Sequence, residues 1–165
     1  MNKEEVMRLC MEEAKKGVNL GEGGPFGAAV VRDGEIISLA HNTVVLSNDP
    51  TAHGEVNAIR KACEKLNTFE LKDCEIYTSA EPCPMCLSAI MWAGIKKVYY
   101  GCTAKDTEDI GFADKFIYDY IKGESRETVI ETIPLLREEC LEAFELWKNK
   151  DNKIDYEQKT LKEKN

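Results

Sequence analysis

Residues 74–93 read CEIYTSAEPCPMCLSAIMWA, and this stretch decides the fold class. Its first five residues have the apolar, β-prone character of a buried strand. Residues 84–93 then predict a helix, because Pro84 suits a first helical turn and Gly94 follows the last apolar residue. A strand that runs directly into a helix indicates an α/β protein.

The flanking sequence continues this alternation. Apolar residues at helical spacing predict a helix over residues 3–18, and the Asp33-Gly34 pair predicts a hairpin turn between two apolar runs. The remaining predicted elements are strands at 28–31, 35–40 and 96–100, helices at 52–66, 113–121 and 135–149, and a segment at 128–133 that fits strand or loop. The order predicts a layered α/β domain with a mixed sheet.

Three residues are candidate metal ligands: His53, Cys83 and Cys86. The two cysteines stand three apart at a predicted helix start, where both side chains share a face and the helix dipole favours thiolates. A structural zinc normally has four protein ligands, whereas a catalytic zinc has three and keeps a position for water. Glu55, two residues after His53, is placed to move protons at that water.

Other interpretations of the cysteine pair remain open. Taken alone, C-x-x-C also fits a structural zinc half-site or a redox pair, but a redox pair does not account for His53-x-Glu55. The main alternative is a fourth ligand from Cys74 or Cys102, which would make a non-enzymatic zinc-stabilised module with no role for Glu55. The cysteines outside the motif otherwise fit as small packing groups: Cys10, Cys63, Cys74, Cys102 and Cys140.

The length, composition and net charge of the chain favour some classes of protein and disfavour others. A chain of 165 residues with 43% apolar content fits one domain with a real core, and no apolar run reaches the length of a membrane span. Charges interspersed through the first 20 residues predict an amphipathic helix rather than a signal peptide, and seven cysteines without such a signal point to the cytoplasm. The net charge of −8 disfavours nucleic acid, although a local basic groove is compatible with it.

With the metal residues placed, the chain resembles the cytidine deaminase-like superfamily of zinc deaminases, whose signature is H-x-E…P-C-x-x-C. Within it the chain is similar to the bacterial guanine deaminase branch. The similarity lies in GGPFGA at 23–28, Asn42, SNDPTAH at 47–53, EPCPMC at 81–86, Trp92 and GFAD at 111–114. The resemblance implies a three-layer α/β/α fold with a central mixed sheet of about five strands, and one zinc ion per subunit. The deaminase domain is expected at residues 1–150, and the polar composition of the residues after it predicts a tail at 151–165.

The resemblance also implies roles in a base-binding pocket. Phe26 and Phe112 would enclose a planar base, Asn42 would hydrogen-bond it, Asp114 would hold the purine edge, and Trp92 would line the wall near the zinc. Each residue has a plain structural alternative. The three aromatic residues also fit a hydrophobic core, Asn42 a strand cap, and Asp114 a helix N-cap.

The implied reaction is the hydrolytic deamination of guanine to xanthine and ammonia in purine metabolism. Zinc-bound hydroxide would attack the carbon that bears the amino group, with Glu55 as the proton shuttle. One alternative is deamination of adenosine in transfer RNA, which the acidic balance and the glutamate-rich helix at 135–149 oppose. Another is deamination of a different small heterocycle, such as cytosine, a cytidine nucleoside or an aminotriazine.

The sequence departs from the family pattern at two places. Gly54 stands where alanine is common between the histidine and the glutamate, which costs about 0.5–1 kcal/mol in a helix. The tail also runs past the usual end. Members of the branch form homodimers in which the exchanged C-terminal segment brings a terminal tyrosine over the partner's pocket, and Tyr156 is the candidate for that lid.

Overall fold

A computed structural model describes residues 1–125 and 129–157 of the chain. The helices are α1 (Lys3–Asn19), α2 (Val44–Ser47), α3 (Gly54–Leu66), α4 (Pro84–Trp92), α5 (Ala104–Asp109), α6 (Lys115–Lys122) and α7 (Arg137–Asn149). The strands are β1 (Gly27–Arg32), β2 (Glu35–His41), β3 (Cys74–Ala80) and β4 (Val98–Cys102). The predicted helices and strands are present, and residues 129–133 of the segment that fitted strand or loop are not in a strand. The short helices α2 and α5 were not predicted.

The four strands form one mixed sheet in the order β2-β1-β3-β4. β1 is antiparallel to both β2 and β3, whereas β3 and β4 run parallel with α4 between them in the chain. Tyr77 lies opposite Ala29 on one side and Tyr99 on the other, and the two tyrosine rings stack with centroids 4.6 Å apart. The sheet thus confirms the α/β prediction.

The expected count of about five strands was wrong, because the described sheet has four. The segment at 128–133 was the fifth candidate; Thr128 lies outside the described residues, and 129–133 are not in a strand. Val129 and Ile130 have strand-prone side chains, yet they are 48% and 60% exposed. A strand is stabilised by cross-strand packing and burial, and this segment pairs with no described strand.

Helices cover both faces of the sheet. Ala28 and Val30 of β1 belong to a core shared with α3 and α4, while Ala29 and Val31 belong to a second core with Val6 and Cys10 of α1. Alternate residues of one strand thus face opposite helical layers, as the two-residue period of a strand requires. Both faces of β1 are buried, which explains its continuous apolar sequence and confirms the three-layer architecture.

Two glycines make this arrangement possible. A Cβ atom at Gly27 would lie 2.1 Å from the carbonyl oxygen of Cys10, so glycine permits the close approach of α1 and β1. Asp33 and Gly34 have φ values of 52° and 79° in the turn between β1 and β2. Positive φ at both central positions is the geometry predicted for an Asp-Gly hairpin.

The C-terminal helices contrast with this core, since no residue of α6 or α7 is buried. Residues 151–157 contain neither helix nor strand, and residues 158–165 of the predicted tail lie outside the described residues. The ring of Tyr156 lies 6.4 Å from that of Phe69 and 6.5 Å from that of Trp147, measured between centroids. Among the described residues, no helix has the length and apolar character needed to cross a bilayer.

Candidate metal centre

The three predicted ligands converge where two helices begin. His53 is the N-cap residue of α3, and Cys83 is the N-cap residue of α4, three residues before Cys86. The Nδ1 atom of His53 lies 3.5 Å from the Sγ atom of Cys83 and 3.5 Å from that of Cys86. All three candidate ligand atoms lie within 4.8 Å of one another. Because both N-caps have extended backbone conformations, each side chain projects ahead of its helix into the same space.

The spacing of these atoms fits zinc. With Zn–S bonds of about 2.3 Å and Zn–N bonds of about 2.0–2.1 Å, tetrahedral geometry puts the nitrogen and each sulfur about 3.5 Å apart. The separations from His53 Nδ1 have that value. Two thiolates and an imidazole are also a donor set that zinc prefers. The protein is therefore equipped for zinc, and His53, Cys83 and Cys86 could hold it.

Neither proposed fourth ligand joins the group. Cys74 is the first residue of β3, at the end of the strand opposite the cysteine motif. Cys102 ends β4 beside Ala80, near the motif, but its sulfur is not among the clustered atoms. Within residues 1–125 and 129–157, the cluster contains three candidate ligands. This number is typical of a catalytic zinc site with an open position.

The electrostatics of the cluster favour a cation. A hydrogen bond with Cys86 is the main cause that lowers the pKa of Cys83 to about 4, and a hydrogen bond with His53 adds to it. The same hydrogen bond with Cys83, together with burial, raises the pKa of Cys86. Hydrogen bonding to Cys83 also raises the pKa of His53. The hydrogen bonds to Cys83 and the positive N-terminus of α4 thus favour its thiolate form, which is the form that binds a metal.

Glu55 lies beside this cluster in the first turn of α3 and is only 5% exposed. Burial raises the pKa of its carboxyl group, and a hydrogen bond with the side chain of Cys86 opposes that shift. A buried carboxyl group with a raised pKa can both accept and donate a proton near neutral pH. The arrangement can therefore supply an acid and a base within reach of a metal-bound ligand.

Asn57, which was not predicted from the sequence as a site residue, holds the end of β2 and the segment before His53 in fixed relative positions. Its Nδ2 atom donates to the carbonyl oxygen of His41 at 2.9 Å and to Thr43 Oγ1 at 3.0 Å. The contact with the carbonyl oxygen of Ala52, at 3.3 Å, joins the residue just before His53 to the same amide. The backbone N–H of Asn57 donates to the carbonyl oxygen of His53, and its place in the first helical turn after the motif is a signal that could have found it.

Asn42 is a buried amide at the end of β2, with 6% exposure. Its Oδ1 atom accepts a hydrogen bond from the backbone N–H of Val44 at 3.0 Å. A Cβ atom at Gly23 would lie 2.2 Å from that oxygen, so glycine allows the preceding loop to pack on the amide. In the part of the chain that the structure describes, nothing accepts a hydrogen bond from Nδ2 of Asn42. A buried donor of this kind is suited to a ligand.

His41, beside Asn42, joins the loop that contains Glu22 and Gly23 to the helix α1. Its ring nitrogens lie 2.7 Å from a carboxylate oxygen of Glu13 on α1 and 2.9 Å from one of Glu22. The carbonyl oxygen of Glu22 accepts hydrogen bonds from the N–H groups of Val45 and Leu46, which follow Asn42. The backbone on both sides of the Asn42 amide is thus anchored.

Two phenylalanines that were predicted to enclose a ligand are in contact. The rings of Phe26 and Phe112 pack edge to face, with centroids 5.2 Å apart and an interplanar angle of 85°. A Cβ atom at Gly24 would approach both rings, at 2.9 and 3.2 Å, so this glycine leaves room for the pair. Phe26 is half-buried and Phe112 is 48% exposed, so neither ring is sealed in the core.

Asp114 occupies the N-cap position of α6, but its side chain makes no capping hydrogen bond. Burial raises the pKa of its carboxyl group, and the negative charges of Cys83 and Glu81 raise it further. Asp114 is therefore close enough to the cluster to feel its charge. Tyr118, one turn further along α6, donates a hydrogen bond to the carbonyl oxygen of Pro82 at 2.7 Å. Its spacing of four residues from Asp114 was the available signal for this second missed residue.

Two predicted pocket residues are not brought to the cluster within this chain. Trp92 is the last residue of α4 and is 63% exposed. It lies six residues after Cys86, about 9 Å further along the helix axis. Tyr156 packs near Phe69, which follows the C-terminal end of α3, whereas the cluster lies at the N-terminal end. The wall role of Trp92 and the lid role of Tyr156 stay predictions.

Comparison with known proteins agrees with the chemistry of this site. Residues 1–102 match the family model for the cytidine and deoxycytidylate deaminase zinc-binding region. A protein named guanine deaminase from Bacillus subtilis (strain 168) is 48% identical over 156 residues, which cover 94% of this chain and 100% of that protein. A protein named tRNA-specific adenosine deaminase from Aquifex aeolicus is 46% identical over 105 residues, covering 64% of this chain and 69% of the relative.

A solved structure is similar over nearly the whole length. The X-ray structure of guanine deaminase from Bacillus subtilis superposes with a TM-score of 0.90 at 48% identity, covering 95% of this chain and 100% of that one. The family model covers more than half of the chain, and it includes His53, Glu55, Cys83 and Cys86. The chain belongs to the cytidine and deoxycytidylate deaminase family of zinc-binding proteins.

Proposed function

We propose that the protein is a zinc-dependent guanine deaminase that hydrolyses guanine to xanthine and ammonia. The observation that carries the proposal is the convergence of His53, Cys83 and Cys86 beside the buried carboxyl group of Glu55. Three ligands with an adjacent acid suit hydrolysis at a carbon that bears an amino group. The choice of guanine is supported by the similarity to the Bacillus subtilis guanine deaminase over that protein's full length.

Zinc and the protein would have separate roles in this reaction. His53, Cys83 and Cys86 would hold zinc, whose contribution would be to make a water acidic enough, with a pKa of about 7, to act as a nucleophile at neutral pH. Glu55 would receive the first proton of that water and deliver it to the ring nitrogen next to the reacting carbon. As the carbon–nitrogen bond breaks, Glu55 would pass the second water proton to the departing amino group, which leaves as ammonia. The water oxygen becomes the new carbonyl oxygen of xanthine, so atoms and charge balance.

Glu55 suits both halves of this cycle. Its burial stabilises the protonated carboxylic acid, whereas the hydrogen bond with Cys86 stabilises the carboxylate. A carboxyl group whose two forms each have a stabilising interaction can accept a proton early in the reaction and donate it later. The low exposure of the carboxyl group also limits exchange of that proton with bulk water.

Four side chains would recognise the base. The Nδ2 atom of Asn42 offers a donor to a ring acceptor or carbonyl oxygen, and the carboxylate of Asp114 offers an acceptor to an N–H edge. The contacting rings of Phe26 and Phe112 would form an aromatic wall against the base, which suits a flat heterocycle. An amino-purine carries both donors and acceptors on its edges, so this combination of amide and carboxylate favours a base of that type.

Adenosine in transfer RNA is the second candidate substrate. Relatives named tRNA-specific adenosine deaminase match 64% of the chain in the Aquifex aeolicus protein and 92% of it, at 34% identity, in the Haemophilus influenzae protein. Against this candidate, the chain carries a net charge of −8, and α7 presents four glutamates: Glu138, Glu139, Glu142 and Glu145. A helix of this charge would repel a phosphate backbone.

An ammonia-release assay over free bases, nucleosides and transfer RNA tests the assignment. We expect guanine to be turned over with kcat/KM at least about 10³-fold above that for adenosine or cytosine. A site built to hydrogen-bond particular edges rejects bases that leave its buried groups unpaired, by factors of about 10⁴–10⁵ in favourable cases. Release of ammonia from transfer RNA without release from guanine would replace this proposal with the second candidate.

We further propose a cytoplasmic homodimer, in which residues 1–150 form the deaminase domain and the segment from 151 onward is exchanged between subunits. The support is the exposure of large apolar side chains on the C-terminal helices, which include Phe144 at 71% and Trp147 at 45%. Apolar groups exposed together are typical of an interaction surface. In such a dimer, Tyr156 would reach the partner's pocket and close it over the base.

Truncation after Lys150 is expected to lower kcat/KM for guanine by about 5- to 150-fold, because stacking of a base on an aromatic ring contributes about 1–3 kcal/mol. The steady-state rate of ammonia release measures the effect. The control is Tyr156→Phe in the full chain, which keeps the ring and should retain most of the activity. Unchanged turnover of guanine by the truncated chain would rule out the lid.

A further inference from the structure

The helix α6 is attached to the body of the domain at few points. None of its residues is buried, and its ion pair between Lys115 and Asp119 lies within the helix. Among the described hydrogen bonds, one joins a side chain of α6 to residues 1–110, the bond from Tyr118 to the carbonyl oxygen of Pro82. The position of α6 relative to the sheet therefore depends strongly on Tyr118.

The acceptor of this hydrogen bond belongs to residues 81–86, which lead into α4, carry Cys83 and Cys86, and are called the metal loop here. Pro82 is buried and directly precedes Cys83, so its carbonyl belongs to the peptide unit that leads into that ligand. The hydroxyl group of Tyr118 remains a donor at any physiological pH. Burial first, then the negative charges of Asp114 and Cys83, raise the pKa of Tyr118 to about 12. The bond thus links α6 to the loop that carries the cysteines.

Asp114 lies between two contacts that attach this part of the chain to the rest of the domain. Before it, Phe112 packs against the ring of Phe26. After it, Tyr118 lies one helical turn along the same face of α6 and holds the helix by its hydroxyl group. The side chain of Asp114 makes no capping bond of its own, so its own helix gives it little to fix its direction. A carboxylate that must meet the edge of a base needs such external support.

The metal loop, in contrast, has other supports. The backbone N–H of Glu81 donates to the carbonyl oxygen of Cys102 at 2.8 Å, and its carboxylate accepts from the N–H of Ala104 at 2.8 Å. Cys83 is also held at the start of α4 by the N–H of Cys86. Loss of the Tyr118 hydrogen bond should therefore release α6 without displacing the ligands.

We propose that Tyr118 is a positioning residue that holds Asp114 against the base-binding pocket through its hydrogen bond to Pro82. This inference rests on the proposed function, because it takes guanine as the base that Asp114 meets. Tyr118 touches neither the substrate nor the reacting atoms in this arrangement. It couples base recognition by α6 to the position of the metal loop.

The test compares Tyr118→Phe with Tyr120→Phe, a matched removal of a hydroxyl group from the same helix. The hydroxyl of Tyr120 contacts the carbonyl oxygen of Ile130 at 3.3 Å and does not reach the metal loop. We expect Tyr118→Phe to raise KM for guanine about two- to tenfold, the range that one hydrogen bond contributes, with kcat and zinc content nearly unchanged. Tyr120→Phe should leave KM, kcat and zinc content as they are.

A double-mutant cycle with Asp114→Asn separates positioning from general stabilisation. If Tyr118 acts through Asp114, the combined loss in kcat/KM is smaller than the product of the two single losses. Hydrogen exchange over residues 115–122 should rise in Tyr118→Phe and not in Tyr120→Phe. Multiplicative losses, a loss of zinc, or unchanged exchange would each overturn the proposal.

The unmodified chain separates failure of this inference from failure of the proposed function. If it releases ammonia from guanine and the cycle is multiplicative, the function stands and the role of Tyr118 is rejected. If it does not act on guanine, the proposed function fails and this role fails with it. The hydrogen-exchange result still reports whether the Tyr118 bond holds α6.

Discussion

Replacing Glu55 with glutamine is expected to lower kcat for guanine by at least about 10²- to 10⁴-fold while zinc content stays the same. This is the range that general acid and base catalysis contributes. Glutamine keeps the size of the side chain but has no titratable proton, so neither proton transfer of the proposed cycle can occur. Rates of ammonia release and metal analysis of the same preparation measure both effects.

Folding should not account for the loss. Glu55 is 5% exposed, and a buried carboxylate is costly unless it is paired, so neutral glutamine should leave the free energy of unfolding unchanged or slightly higher. The matched control is Glu64→Gln on the same helix α3, where the side chain is exposed and the change should have no effect on kcat. Activity close to that of the unmodified chain in Glu55→Gln would remove Glu55 from the mechanism.

The KM value for guanine gives a further distinction. If Glu55 acts only in proton transfer, its loss should appear in kcat, with KM within about threefold of the unmodified value. A large rise in KM at constant kcat would instead make Glu55 a binding residue. The two outcomes assign different roles to the same carboxyl group.

The sequence predicted the elements that carry the site with good accuracy because each has a strong local signal. The Asp33-Gly34 turn, the proline at the start of α4 and the apolar run of β3 all act within a few residues. The predicted ligands also came from a local signature, and the structure brings them within 4.8 Å of one another. Local sequence patterns were therefore sufficient to predict those elements whose conformation is determined by residues close together in the chain.

The misses have a different physical origin. The count of about five strands was wrong, and the segment at 128–133 could only be predicted as strand or loop, because pairing depends on a neighbouring strand that no local pattern reports. Asn57 and Tyr118 act through hydrogen bonds to backbone carbonyl groups distant in sequence, such as those of His41 and Pro82. A carbonyl acceptor has no side-chain identity, so the sequence carries no mark of the partner.

The wall role of Trp92 stays a prediction, for a related physical reason. A short helix that starts at the metal site ends about two turns away, so a residue on it can be adjacent in sequence and remote in space. The side chain of Trp92 is 63% exposed in the described chain. Its predicted wall role therefore depends on contacts that residues 84–93 alone do not determine.

The replacement of Cys86 by serine is expected to abolish zinc binding and with it ammonia release. Serine is close to cysteine in size, but its hydroxyl group does not ionise near neutral pH and so cannot replace a thiolate ligand. Loss of an outer-shell partner of a metal already weakens affinity by about 10- to 100-fold, and loss of a direct ligand should exceed that. Metal analysis after dialysis against a weak chelator measures the change.

The matched control is Cys102→Ser. Cys102 is exposed at the end of β4, near the motif but outside the clustered atoms. We expect this variant to keep its zinc and its activity. Loss of zinc from it would make Cys102 a fourth ligand and would convert the interpretation of the site from catalytic to structural, since a closed set of four leaves no position for water.

The melting temperatures of Cys86→Ser and Cys102→Ser also distinguish a catalytic zinc site from a structural one. Neither of the two hydrophobic cores on the faces of the sheet includes Cys86, so the α/β body has its own source of stability. We therefore expect Cys86→Ser to remain folded, with a lower melting temperature because bound metal stabilises the native state by mass action. Readdition of zinc should restore activity to the unmodified chain after chelation, whereas Cys86→Ser should stay inactive. A Cys86→Ser variant that unfolds completely would show that the metal holds the fold together, as it does in structural zinc domains.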